Sequence, residues 1–236
     1  MRLFIIAATS ILLCTFHLSA QTPIVIGAMK NVMWKGELKG NIFLDTIANK
    51  IHLYGMGPLE GLKGEIMIVD GKCYVSKFET DKTAIVTEDY KVRAPFFGYA
   101  NIEKWDTLTL PPNIENIEAL DNYLLQIQGK DQKPFFFTIE AEVEKANIHS
   151  MNLPDHVKVN SPQVAHELGQ KDYSIKNRKV ILVGFFSTAH QTIFTHHNTY
   201  THIHLMTTDF KMMGHVDELK IKNGTAKLFL PTKKIK

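Results

Sequence analysis

The chain has 236 residues, 44% of them hydrophobic, and its 27 Lys and Arg against 24 Asp and Glu leave a formal charge of +3. That is enough apolar material for one compact unit or two intimately packed ones, while so small and scattered a charge argues against a nucleic-acid groove. Of the two cysteines, Cys14 falls in the apolar start of the chain, so Cys73 alone remains in the body and no internal disulfide can form there.

Residues 1–20 read as a secretory signal peptide. Met1-Arg2 precedes an apolar run from Leu3 to Leu18 that is too short to span a bilayer, and Ser19-Ala20 precede Gln21. Cleavage is expected after Ala20, leaving about 216 residues exported to the periplasm or beyond. Leu13 stands where a lipoprotein site before Cys14 wants a small residue. The basic tail, Lys233-Lys234-Ile235-Lys236, reads as a solvated end, because stable membrane anchoring needs a second signal.

Further along, Tyr54-Gly55-Met56-Gly57-Pro58 and Gly61 form a loop that delivers Glu65 to the start of a strand. Strand-like residues 65–69 and 72–76 flank Asp70-Gly71, the pair that tolerates positive φ in a tight hairpin turn. A helix is expected from about Asn113 to Gln128, with Ile114, Ile117, Leu120, Leu124 and Ile127 at helical spacing and Gly129 at its end. Residues 135–139 begin a new strand region, followed by a polar stretch over 140–145 and then residues 148–151. Ser161-Pro162 opens a short helix ending near Gly169. Residues 179–186 read as a buried strand, and residues 216–221 and 225–230 flank Asn223-Gly224 as a last hairpin. Strands outnumber helices, so the expected fold is α+β with mostly antiparallel sheets. The break at 129–134 is expected to separate an N-terminal domain, 21–130, from a C-terminal metal-binding domain, 131–236.

The most informative run is Tyr200-Thr201-His202-Ile203-His204-Leu205 with His215 beyond it. Alternate side chains of a strand share a face, so His202 and His204 project together while Ile203 and Leu205 point into apolar packing. Thr207-Thr208-Asp209 and Gly214 read as a chain reversal that returns His215 opposite the pair. Three neutral imidazoles around one point, with other positions left open, suit catalytic zinc or a related divalent ion. His190, His196 and His197 crowd the same region and could compete as ligands, but neither spacing nor strand phase ties them to the pair, and they read as loop or rim residues.

These residues resemble the α-acetolactate decarboxylase family over nearly all of the expected mature chain. Tyr54-Gly55-Met56-Gly57 with Leu62-Lys63-Gly64-Glu65 and the following hairpin looks like the family's Gly-x-Gly-Thr and Leu-Asp-Gly-Glu segment. Ala94-Pro95-Phe96 is similar to its Thr-Pro-Phe, Val183-Gly184-Phe185 to its Val-Gly-Phe, and the histidine run to its metal motif. The resemblance implies a two-domain α+β enzyme, commonly a homodimer, with His202, His204 and His215 as zinc ligands and Glu65 as the catalytic carboxylate. It also implies a small 2-hydroxy-3-keto acid as substrate, with acetolactate losing CO₂ to give acetoin.

The pattern departs from the family at several places. Ile148-His149-Ser150-Met151 before Leu153-Pro154 stands where the family carries Val-Arg-Thr-Arg, so the arginine expected to hold the substrate carboxylate, at 149 or 151, is absent and His149 is its nearest substitute. A histidine there is shorter and only partly charged near neutrality. Pro58 replaces a threonine, Met213 replaces the first glycine of Gly-Gly-His, and the family's longer acidic tail, with its second glutamate, has no counterpart. The leading expectation is an exported zinc-dependent acetolactate decarboxylase that uses Glu65 and His149. The other is a metal-binding protein on the same scaffold that binds a small oxygen ligand or a partner.

Overall fold

A computed structural model describes residues 22–80, 83–129 and 132–232. The signal peptide expected at 1–20 and the lysine tail lie outside the described residues. The elements in chain order are β1 (Ile24–Ile26), α1 (Met29–Lys35), β2 (Ile42–Phe43), β3 (Leu53–Pro58), β4 (Gly64–Val69), β5 (Lys72–Phe78), β6 (Ala84–Glu88), β7 (Arg93–Ala94), β8 (Phe97–Asn101) and β9 (Trp105–Thr109). They continue with α2 (Ile117–Gln128), β10 (Phe135–Met151), α3 (Pro162–Gly169), β11 (Gln170–Phe186), β12 (Thr201–Thr207), β13 (Met213–Ile221) and β14 (Lys227–Pro231).

Two six-stranded sheets carry the fold, and neighbouring strands in both are antiparallel. The first has the order β1-β8-β3-β4-β5-β6 and the second β11-β12-β13-β10-β14-β9. Because β10 also pairs with β11, the strands β11, β12, β13 and β10 close on themselves. The changeover between sheets falls between Asn101 and Trp105, ahead of the 129–134 segment, and α2 packs on the second sheet through Leu120 and Leu124.

Alternation along the strands sorts side chains into three apolar layers. Ile66 and Ile68 of β4 pack outside the first sheet with Leu53 and Phe97, and Ile203 and Leu205 of β12 pack outside the second with Leu182 and Phe137. Between the sheets, Met56, Met67 and Phe96 of the first half meet Phe136, Val183, Phe185, Met206 and Met213 of the second. Polar groups on these inner faces are therefore buried among apolar side chains.

Several local expectations shift. Asp70 and Gly71 both take positive φ, 45° and 80°, so the β4–β5 turn is of the type that hairpin twist favours. Helix α2 starts at Ile117, where the Asn116 side chain accepts from the Ala119 N–H at 2.9 Å. The polar stretch at 140–145 does not interrupt a strand: β10 runs 17 residues through it. Ala141, Val143 and Ala146 continue the buried stripe while Glu140 and Glu144 are exposed, and small alanines disguise the alternation in sequence.

Candidate metal centre

Strand β12 places His202 and His204 on its inner face, and the β12–β13 register sets His215 directly opposite His204. One ring nitrogen from each of the three lies within 4.8 Å of the others, so these buried histidines could hold a metal ion. The Nε2 atoms of His202 and His204 are 3.2 Å apart. Their Nδ1 atoms face carbonyl oxygens, Phe194 at 2.7 Å and Ile66 at 3.0 Å. A carbonyl only accepts, so Nδ1 carries the proton in each neutral ring and the Nε2 lone pair is left for a cation. Burial drives His204 down to about 3, and burial with mutual repulsion drives His202 and His215 well below the usual imidazole range. The donor set thus stays neutral at neutral pH, as metal binding requires.

Glu65 enters from the other sheet. It is 3% exposed, and its Oε2 lies 3.6 Å from Nε2 of His204. Its Oε1 accepts from the Met151 N–H at 3.4 Å. Burial lifts the carboxyl to about 8 despite the opposing charge of His149, so the protonated form dominates at neutrality.

His149 sits opposite His215 in the β10–β13 register, with ring centroids 4.9 Å apart. Its Nδ1 is 2.8 Å from both carboxylate oxygens of Asp217. Burial alone would lower its pKa, but the hydrogen bond and charge of Asp217, foremost, outweigh that and hold it above the usual range. Asp217 owes its place to a β-bulge. Asn147 pairs with Glu218 and Ile148 with Val216, so Asp217 is the extra residue of β13.

These groups line one cavity of about 230 Å³, walled by Met29, Met33, Phe96, Met151 and Pro58. The structure therefore brings together all five residues expected from the sequence, Glu65, His149, His202, His204 and His215. It adds Asp217 and His166, which the sequence reading did not single out, and it places His196 and His197, weighed there as competing ligands, on the same cavity. Asp217 could have been suspected from the polar pair Asp217-Glu218, which breaks the alternation between Val216 and Leu219. His196, read as a rim residue, brings its Nε2 to 3.1 Å from Nε2 of His215. It gives no signal in spacing, because a loop carries it. His190 instead bonds Ser187 Oγ at 2.7 Å and does not line the cavity.

The family pattern for alpha-acetolactate decarboxylase matches residues 27–233. The chain belongs to that family. It is 25% identical over 177 residues to the alpha-acetolactate decarboxylase of Lactococcus lactis subsp. cremoris, covering 74% of this chain and 70% of that one. It is 24% identical over 176 residues to the Methanosarcina mazei protein of the same name, covering 74% and 58%. The solved structure of alpha-acetolactate decarboxylase from Bacillus subtilis strain 168 matches with a TM-score of 0.72 at 18% identity, over 89% of this chain and 86% of that one. A Staphylococcus aureus protein of unknown function, described as similar to alpha-acetolactate decarboxylase, matches with 0.71 at 16% identity over 88% and 84%. At these identities the structural matches establish a shared fold. The low identities make this a divergent member of the alpha-acetolactate decarboxylase family.

Proposed function

We propose that the protein is an exported, zinc-dependent decarboxylase of acetolactate or a related 2-hydroxy-3-keto acid, releasing CO₂ and, from acetolactate, acetoin. The observation that carries this reading is the convergence of three buried, neutral imidazoles, with one ring nitrogen from each within 4.8 Å of the others, beside the buried carboxyl of Glu65. Nitrogen-only donors of intermediate softness suit zinc, and the Nδ1 protons of His202 and His204, fixed on carbonyl oxygens, fit these residues to such an ion. His202, His204 and His215 would hold the ion, which would supply a Lewis acid for the adjacent hydroxyl and ketone oxygens of the substrate. Glu65 holds a proton on its carboxyl and delivers it to the carbon that has lost the carboxylate. The His149 cation, aligned by Asp217, attracts the substrate carboxylate into the cavity. Met29, Met33, Phe96 and Met151 surround the substrate methyl groups and limit water. Export rests on the N-terminal apolar run; among the described residues no helix is long and apolar enough to cross a membrane.

One observation favours the second reading, a metal-binding protein that holds a small oxygen ligand without decarboxylating it. Among the described residues lining the cavity there is neither Arg nor Lys, so no permanent cation grips a carboxylate. Purified protein incubated with racemic acetolactate decides between them. Acetoin that disappears with chelator and returns with zinc supports the decarboxylase. Bound zinc with no acetoin leaves the binding protein.

A further inference from the structure

The cavity runs from a buried floor to an open mouth. Glu65, His202, His204 and His215 lie at the floor, each at most 7% exposed, with Phe96 and Met151 buried beside them. Trp34 lines the same cavity but is 50% exposed, which puts it at the mouth. Met29 and Met33 of α1 are half-buried and one helical turn apart, so they share a face and carry the apolar lining outward from the floor. Single exposed apolar residues are ordinary on a protein surface. Trp34 differs in ending an apolar wall that begins at the candidate metal ligands. No fixed charge stands at the mouth, whose other exposed lining residues are His166 and His197.

The helix that presents this wall is held along its length. At its start the Met29 and Lys30 N–H groups donate to the carbonyls of Ile193 and Thr192 at 2.8 and 2.9 Å. In its middle Val32, 1% exposed, is anchored in the apolar layer between the sheets. At its end Gly36 takes φ 66°, and a Cβ there would stand 2.7 Å from the Val159 carbonyl oxygen. Trp34 is thus set in place before any ligand arrives, which spares the ordering cost of a surface formed on binding. Acetolactate bound through its oxygens at the floor carries only methyl groups towards this wall, too short to cover its outer end.

We propose that the cavity takes a 2-hydroxy or 2-hydroxy-3-keto acid whose apolar substituent is longer than ethyl, with the acid's oxygens at the histidine floor and the substituent laid along Met33 onto Trp34. This rests on the three-histidine site proposed above, though not on decarboxylation there. Zinc-loaded protein titrated by calorimetry with 2-hydroxyisobutyrate, 2-hydroxy-2-methylbutyrate and 2-hydroxy-2-methylhexanoate tests it. Affinity should rise about two- to fourfold for each added methylene. Trp34→Ala should flatten that gain and Trp34→Phe should keep most of it. Trp105→Phe, whose indole does not line the cavity, should keep the whole gain. Because Trp34 is then the one tryptophan left of two, its emission should shift to the blue with the longest acid as the indole leaves water. A flat or falling series in wild type, or an equal gain in Trp34→Ala, would overturn the proposal while the acids still bind at the floor. Protein that takes up no zinc, or takes up zinc and binds none of the acids, overturns the three-histidine site along with it. A chain-length gain without acetoin from acetolactate supports this ligand class and overturns only the decarboxylase.

Discussion

Glu65 owes its chemistry to where its backbone puts it, on an inner-face position of β4, under the imidazole of His204 and beyond the reach of bulk water. In the metal-free site burial holds this carboxyl near 8, and on the proposed reading that proton is the one delivered to the substrate. Glu65→Gln should retain zinc and lower kcat by about a hundredfold, the usual cost of removing a general acid, as checked by elemental analysis alongside turnover. Asp217 acts at one remove, through the Nδ1 of His149. Asp217→Asn replaces a charge-assisted bond of about 1.5–3 kcal/mol with a neutral one. The Michaelis constant for acetolactate should therefore rise about tenfold with a smaller change in kcat. The pH dependence gives the sign. Asp217 helps to hold the His149 pKa above its ordinary value, so wild-type binding should persist to higher pH and then decline, and the variant should decline earlier. Coincident pH profiles for the two proteins would remove Asp217 from the binding step.

At the scale of elements, the centre depends on how closely β13 approaches β10. A Cβ on Gly214 would stand 2.4 Å from the His149 carbonyl oxygen and 3.1 Å from its carbonyl carbon, backbone atoms that cannot rotate away. Gly214→Ala should push the strands apart, destabilise the fold by about 1–3 kcal/mol and weaken zinc binding without touching a ligand; thermal unfolding and zinc competition measure both. The legibility of the sequence followed the same lines. The inward pair His202 and His204 and the return of His215 were readable because strand alternation and a turn are local. The Asp70-Gly71 hairpin was readable for the same reason. Strand β10 was divided too early because alanines mark its buried face through 140–145. Asp217 was hidden because a bulge resets the phase, and the place of His196 because a loop has no period. Glu65 could be placed beside the histidines only through the family resemblance, since its sheet meets theirs by long-range packing that no local pattern encodes.

Across the whole molecule, one buried layer between two sheets holds groups whose protonation preferences oppose each other. In metal-free protein, His202, His204 and His215 stay neutral when folded but take up protons near 6.5 when unfolded. Their contribution to stability is present above that value and is lost as pH falls, for His204 down to about 3. Glu65 runs the other way, because its folded pKa of about 8 lies above its usual 4.5, so its contribution is present below 4.5 and lost as pH rises towards 8. Three imidazoles outweigh one carboxyl on the acid side. Urea unfolding of chelated protein from about pH 4 to 8 should therefore show stability collapsing on acidification, with Glu65→Gln flattening only the decline towards alkaline pH. The three histidines that could hold a metal ion all come from the β12–β13 hairpin of the second sheet, while Glu65, the proposed proton donor, comes from β4 of the first. Cargo and competence are therefore separable in this protein. On the proposed reading, a preparation whose sheets have slipped apart carries its full complement of ion and turns over nothing, so metal stoichiometry alone does not certify activity.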